Sequence, residues 1–374
     1  MSDLGSEFHR FILDGTKIAF HKERVDAWMR GEKIAPITID MSLTRACNYA
    51  CGYCYAVMQE NDRQTITKET MTRFIDDCAE IGVKGISLVS DGESTLHPAY
   101  EHSITYGHAK GISMASGTNG YLLAEDRLQR VLPALTYLRI NITAGEPRRY
   151  AEIMGVKETW FHTVCENIRR AVAIKRDRGL SCTIGLQMVL MPEYADQIIP
   201  LAKLGKELGV DYLVIKHCSD DEDGQLGVNY DGYESLYDKL RTAEAFSTPE
   251  YQVTAKWSKI GDKGKRSYQQ CYGAPFLLQI SGSGLVAPCG MLFNNQYKKF
   301  HIGNIVTESF AAMVRGERYW EVMNYLASPN FNAQSMCGSL CLQHQVNTAL
   351  DKVKKGTPLE QPSPGSCPSH VNFI

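Results

Sequence analysis

Between residues 36 and 217, short apolar strands alternate with amphipathic helices, and this rhythm restricts the fold more than any other property of the chain. Strand candidates fall at 37–43, 85–89, 112–116, 137–142, 183–189 and 211–216, each apolar or β-branched and each followed by turn or polar residues. Between them, Met71, Phe74, Ile75 and Cys78 recur at helical spacing behind a candidate N-cap, Thr67; Val164, Ile168, Ala171 and Val172 repeat the stripe. Parallel strands cannot be joined by a tight turn and need a crossover, usually a helix. Six strand–helix units in series therefore predict the α/β class, either doubly wound or a partial (β/α)6 TIM-like barrel. In both, the loops at the carboxyl ends of the strands carry the chemistry.

The rest of the chain reads differently. Residues 219–224 form an acidic run expected to be a solvated loop, and 230–246 a helix. From Cys271 onward, FLLQI-SGSG-LVAPC reads as a β-hairpin, followed by a helix over 308–326 and an extended, Pro- and Gly-rich tail over 355–369. Lys+Arg 40 against Asp+Glu 42 gives a net charge of −2, which lacks the electrostatic footprint of a nucleic-acid partner. The opening MSDLGSEFHRFILDG has no basic segment followed by an apolar core, and no run is long enough to span a bilayer. A cytoplasmic location is expected, with neither membrane nor nucleic acid as partner.

Twelve cysteines are many for such a compartment, where disulfides are normally reduced. Clustered thiols there more often bind metal than each other. Cys47, Cys51 and Cys54 have the spacing C-x3-C-x2-C directly after the first strand. Three thiolates on one loop can ligate three irons of a [4Fe–4S] cluster and leave the fourth iron without a protein ligand. The alternatives are a zinc site completed by a distant residue, or three packed cysteines. Cys78, Cys165 and Cys182 lie within helix and strand patterns and are expected in the core.

With Tyr53 before the third cysteine, this loop resembles the hallmark C-x3-C-x-aromatic-C of the radical SAM superfamily, placed after the first strand of a partial barrel. The resemblance implies that the open iron binds the amino and carboxylate groups of S-adenosylmethionine, whose cleavage yields a 5′-deoxyadenosyl radical that abstracts hydrogen from substrate. Asp91-Gly92-Glu93 stands where the family carries Gly-Gly-Glu-Pro to hold the methionine amino group, with Asp91 for Gly and Ser94 for Pro. Ser116-Gly-Thr-Asn119-Gly resembles the turn near the ribose and carboxylate. Arg139-Ile-Asn141-Ile-Thr143 resembles the fourth-strand Ser-x-Asp-Gly pattern, with Asn and Thr replacing Ser and Asp. The implied cofactor contacts are thus Tyr53, Asp91, Gly92, Glu93, Ser116, Asn119, Asn141 and Thr143.

Cys271, Cys289, Cys337 and Cys341 form a second constellation, flanking the hairpin and following the late helix. It is similar to the SPASM/twitch region appended to many radical SAM enzymes, and it implies one auxiliary [4Fe–4S] cluster. A structural zinc site would use similar residues. Cys367 is left over, either as a substitute ligand or within a disordered tail. The domain reading is an N-terminal extension (1–35), the barrel (36–235), a linker helix region (236–265) and the auxiliary-cluster domain (266–374).

Cys218 ends the sixth strand, where a thiol could return a hydrogen atom to a substrate radical; the alternative is a small buried residue. Lys216 and His217 could bind an anionic substrate, and the acidic run a cationic one. Family members of this kind modify sugars, aminocyclitols or ribosomally made peptides, and draw electrons from a flavodoxin or ferredoxin. The short stretch before the first strand speaks against a leader-recognition domain. A sugar- or aminocyclitol-like small molecule undergoing dehydrogenation or epimerisation is therefore favoured, with the oxidative outcome first and a peptide maturase as alternative. A non-catalytic iron–sulfur or zinc protein is the remaining rival.

Overall fold

The computed structural model describes residues 16–59, 64–221, 223–263, 265–338, 341–359 and 367–374. The reading of residues 1–15 and the middle of the tail lie outside them, as does Glu222 in the acidic run. The chain divides into two compact units, one of residues 1–46, 58–114 and 265–374, the other of 47–57 and 115–264. Among the described residues, no helix is long and apolar enough to cross a membrane.

In the first unit, β1 (Thr38–Met41) pairs parallel with β2 (Gly85–Leu88) on one side and, on the other, with a later strand, Leu277–Ile280. The helix Lys68–Ile81 makes the β1–β2 crossover. The Thr67 side chain accepts from the Thr70 N–H at its start, and Gly82 stops it in the left-handed region at φ 84°. Its stripe Met71, Phe74, Ile75 and Cys78 is fully buried, as the periodicity predicts. Phe74 meets Phe310 edge-to-face at 5.1 Å. The segment predicted as one helix over 308–326 is two, Phe310–Arg315 and Glu317–Leu326, broken at Gly316.

The second unit continues the repeat. It takes up β3 (Ser113–Thr118), which begins in the first unit, then β4 (Leu135–Asn141), β5 (Thr183–Leu190) and β6 (Tyr212–His217). β4, β5 and β6 are parallel neighbours in chain order. A seventh strand, β7 (Gln252–Ala255), pairs parallel with β6 where the sequence suggested only a linker. Its QVTA is short and half polar, with Val253 and Ala255 buried and Gln252 and Thr254 partly exposed. All eight residues of β5 are buried, as expected for a strand covered on both faces. The observed class is the α/β one, built of parallel strand–helix repeats as in a partial barrel.

Back in the first unit, β8 (Leu277–Ile280) and β9 (Leu285–Ala287) form the predicted antiparallel hairpin, and β10 (Gly303–Asn304) adds to β9. Residues before β1 pack with the C-terminal helix His344–Lys354: Ile18 and Val25 share a cluster with Phe276, Val346 and Leu350. Beyond the segment read as an extended tail, the last residues dock on β1. The Thr38 hydroxyl donates to the Asn372 carbonyl at 2.8 Å and accepts from the Ile374 N–H at 3.2 Å, with His370 and Phe373 buried.

Deleting a buried aromatic side chain costs its transfer energy and leaves a cavity. Phe74→Ala is expected to lower unfolding stability by about 3–5 kcal/mol, whereas Val57→Ala, at a 75% exposed site, stays within about 0.5 kcal/mol. Denaturant midpoints of the two variants check this.

Candidate functional site

The cysteine loop belongs to the second unit and is seated on the end of the helix Pro147–Met154. The Ala50 N–H donates to the Met154 carbonyl at 3.3 Å and the Gly52 N–H to that of Ile153 at 3.0 Å. Gly155 ends this helix at φ 64°, with the Ala50 carbonyl lying where a Cβ would stand. The loop then turns back on itself, the Cys54 N–H donating to the Cys51 carbonyl at 3.1 Å. Tyr49 and Tyr150 join their hydroxyls at 2.7 Å beneath it.

Cys47 is exposed and Cys51 and Cys54 half-buried. Burial pushes the Cys51 thiol up to about 12, and the neighbouring Cys54 and Cys47 add to the shift. The three sulfurs thus sense one another. Yet among the described residues no three His, Cys, Asp or Glu side chains form a group that could hold a single metal ion. A four-iron cluster takes its thiolates on separate irons and needs them further apart than one ion does. Three thiolates on one loop are a donor set that fits a [4Fe–4S] cluster.

Around the loop, the second unit brings together four further residues of the implied set. The Asn119 side-chain amide donates to Asn48 of the loop at 2.8 Å and its oxygen accepts from the Tyr121 N–H at 3.0 Å. Asn141 accepts from Gln187 at 2.9 Å. The Thr143 hydroxyl, fully buried, accepts from the Val189 N–H at 3.3 Å and hydrogen-bonds Tyr53, whose own hydroxyl donates to the Met154 sulfur at 3.1 Å. Ser116 is buried near the end of β3.

Cys218 is also here. Its thiol lies among Val189, Met191, Tyr53, Tyr194, Leu226 and Val228, and points at the Tyr53 carbonyl (3.8 Å) and the Ser219 carbonyl (3.6 Å). Burial pushes it up to about 12, which keeps it a thiol at neutral pH. His217 is not the cation the sequence offered. Burial lowers it to about 4, so its neutral ring donates from Nδ1 to the Cys218 carbonyl at 2.7 Å. The acidic run is not simply solvated either: Asp220 is buried, and its carboxylate accepts from the N–H groups of Asp221, Leu226 and Val228 at 2.9, 2.9 and 3.1 Å.

Asp91, Gly92 and Glu93 lie in the first unit, just past β2. Gly92 has φ 89° and packs against the Thr44 carbonyl so tightly that a Cβ has no room. The Glu93 N–H donates to the Ala46 carbonyl at 2.9 Å, and one Glu93 oxygen accepts from the Thr95 N–H and hydroxyl at 3.1 and 2.7 Å. Asp91, standing where the family has glycine, is hydrogen-bonded at one oxygen and only charge-paired at the other. Oδ1 accepts from the Gly282 N–H of the hairpin turn at 2.8 Å, and Oδ2 pairs with Arg45 at 3.3 Å. Its burial raises its pKa above the usual carboxylate range, with the Gly282 and Arg45 contacts opposing the rise.

The other cysteine set is gathered within the same unit. Burial pushes Cys271 up to about 12 and raises Cys289 further; Cys341 and Cys337 contribute to both shifts, and Cys271 adds to that of Cys289. Sequence reasoning missed what surrounds them. The Asn347 amide reaches the Cys271 and Cys341 sulfurs at 3.6 and 3.8 Å, and the Cys271 thiol donates to Gln343 at 3.2 Å. Both follow Cys341 on or at the start of the last helix, the one signal that could have marked them. Cys367 is exposed, with its thiol 3.9 Å from the adjacent Pro368 carbonyl. Cys78, Cys165 and Cys182 are core residues, as expected.

Residues 41–205 match the family model described as the radical SAM superfamily, which identifies that segment as a radical SAM domain. It is 21% identical over 304 residues to the tungsten-containing aldehyde ferredoxin oxidoreductase cofactor-modifying protein of Pyrococcus furiosus, covering 75% of this chain and 81% of the relative. It is 24% identical over 280 residues to the AdoMet-dependent heme synthase of Methanosarcina barkeri, covering 69% and 78%. Among solved structures, Streptococcus suis SuiB bound to S-adenosylmethionine superposes with a TM-score of 0.62 at 13% identity, covering 92% of this chain and 80% of that one. Native anSMEcpe with bound AdoMet gives 0.56 at 14%, covering 85% and 99%. These likenesses establish the fold. The radical SAM family uses S-adenosylmethionine and a [4Fe–4S] cluster.

A side chain at residue 155 would strain the left-handed cap and push against Ala50. Gly155→Ala is expected to displace the cysteine loop and lower its cluster occupancy by half or more, read as iron per chain after anaerobic reconstitution. Unchanged iron would show that the helix end does not seat the loop.

Proposed function

We propose that the chain abstracts a hydrogen atom from a sugar- or cyclitol-like small molecule and returns one from Cys218, so that the product is an epimer. The observation that carries this reading is the Cys218 thiol, buried, protonated and held against the carbonyl of Tyr53 within the cysteine loop. Cys47, Cys51 and Cys54 would hold the cluster, with the fourth iron left for S-adenosylmethionine; Gly92, Glu93, Ser116, Asn119, Asn141 and Thr143 are the proposed cofactor contacts. When bound, the cluster supplies the electron that splits S-adenosylmethionine and generates the hydrogen-abstracting radical.

The chain's own residues do the rest. The apolar wall of Val189, Met191, Leu226 and Val228 excludes water from Cys218. Its S–H bond breaks as a substrate C–H bond forms, leaving a sulfur radical that one electron and one proton restore. Cys271, Cys289, Cys337 and Cys341 are the proposed ligands of an auxiliary cluster able to exchange that electron, and a flavodoxin or ferredoxin is the proposed external donor. The same four-cysteine set favours a second reading, in which the substrate radical is oxidised instead and the product is a dehydrogenated compound. Peptide substrates stand as an alternative, since a SuiB structure is titled as bound to the precursor peptide SuiA.

Replacing Cys47, Cys51 and Cys54 together by Ala is expected to abolish 5′-deoxyadenosine formation and to reduce iron from about eight to about four per chain, at four irons per cluster. A triple variant that still cleaves S-adenosylmethionine excludes the cluster assignment.

Cys218→Ala separates the two outcomes. Under epimerisation it keeps substrate-dependent cofactor cleavage, forms no epimer, and the wild type incorporates solvent deuterium at the inverted carbon. Retained turnover without deuterium in the wild-type product would select dehydrogenation.

A further inference from the structure

Within the second unit, the strands β4 to β6 have two faces, and one of them is covered by helices. A Cβ on Gly120 would meet Ile140 and, from the helix Glu158–Asp177, Val164, so Ile140 points to the helical side. Strand residues alternate, so Arg139 and Asn141 point the other way, to the inner face. The Asn141–Gln187 hydrogen bond confirms that β5 presents Gln187 to that same face. In register, Arg139 stands opposite Gly185 and Gly185 opposite Tyr212, whose ring lies where a side chain on Gly185 would be. Two residues further along β6 come Val214, then Lys216, then Cys218.

Arg139 is the anomaly on this face. It is 9% exposed, its Nε has no hydrogen-bond partner, and its neighbours include the Tyr137 ring, 5.8 Å from the guanidinium carbon, and Tyr212, which senses its charge. An arginine cannot shed its proton to escape burial. A buried charge without a counter-ion is costly, and a tyrosine face offsets that cost only in part. None of the inner-face positions of β4 to β7 carries a carboxylate. The inner face does carry a second cation, Lys216, two residues before Cys218.

We propose that this inner face is a substrate subsite for an acidic group, a phosphate or a carboxylate, with Arg139 as its buried recognition residue. A guanidinium fork matches both groups bidentately. The proposal rests on the functional reading above and narrows its substrate to an anionic molecule. Spacing adds a shape. From the Arg139 layer, marked on β6 by Tyr212, to Cys218 is six residues, about 20 Å of strand, less the reach of the arginine side chain. A substrate that touches both is elongated, acidic at one end and reactive at the other, and Lys216 lies along its path.

The test uses the anaerobically reconstituted holoenzyme and follows thermal unfolding at constant ionic strength with inorganic phosphate, with malonate, or with chloride alone. The wild type is expected to be stabilised by phosphate or malonate over chloride; phosphate alone identifies a phosphorylated substrate, and malonate alone a carboxylate one. Arg139→Met is expected to be more stable than the wild type in chloride, because an uncompensated buried charge is gone, and to bind the effective anion at least tenfold more weakly. Arg139→Lys should keep a measurable response. Equal anion responses in wild type and Arg139→Met overturn the proposal. So does a tenfold loss of S-adenosylmethionine affinity in Arg139→Met, which would assign the arginine to the cofactor's carboxylate. Failure to form 5′-deoxyadenosine would instead remove the functional reading and leave the anion result standing.

Discussion

The ion pair between Arg45 and Asp91 fixes the point where the first strand becomes the cysteine loop. The Asp91 side chain is 2% exposed, and a carboxylate so far from water is tolerated only when its charge is compensated. The Gly282 N–H satisfies Oδ1, and Oδ2 has the Arg45 charge beside it without a hydrogen bond; the two contacts draw the end of β1, the turn after β2 and the hairpin turn onto one spot. Gly92 and Gly282 both approach Thr44 and Arg45 without room for a Cβ. Arg45 also donates to the Gln59 carbonyl, and the Gln59 amide donates to the Gly290 carbonyl at 2.7 Å, next to Cys289. The end of β1 and the hairpin that leads to Cys289 thus share one polar network.

The second unit supplies the complementary half of the account. Its chemistry is set by what burial does to each group. The Cys218 thiol stays protonated and the His217 ring stays neutral. A thiol proposed to donate a hydrogen atom must carry it. The loop of residues 220–228, organised by Asp220 accepting backbone N–H groups, closes over Cys218 through Leu226 and Val228.

Local pattern made much of this legible. The helix over residues 68–81, its Thr67 cap, the hairpin and both cysteine sets follow from periodicity, capping and spacing, all of which act within a few residues. What was missed depends on partners far away in the chain. Asp91 reads as a defect in a glycine motif until Gly282, 191 residues on, is placed beside it. Asp220 reads as one charge in a solvated run because nothing local shows that its own loop folds around it. β7 escaped because four residues with polar Gln252 and Thr254 give too little periodicity. Arg139 looked like part of a motif, and only the register of β4, β5 and β6 shows it as a lone buried cation.

The central claim is that three cysteines on this seated loop leave one iron of a [4Fe–4S] cluster open to S-adenosylmethionine. Electron–nuclear double resonance of the reduced, reconstituted protein with amino-15N- and carboxylate-17O-labelled S-adenosylmethionine tests it directly. The account predicts hyperfine coupling from both labels to the cluster signal, and its loss in the Cys47, Cys51 and Cys54 triple Ala variant. A reduced cluster signal in the wild type with coupling to neither label would contradict it.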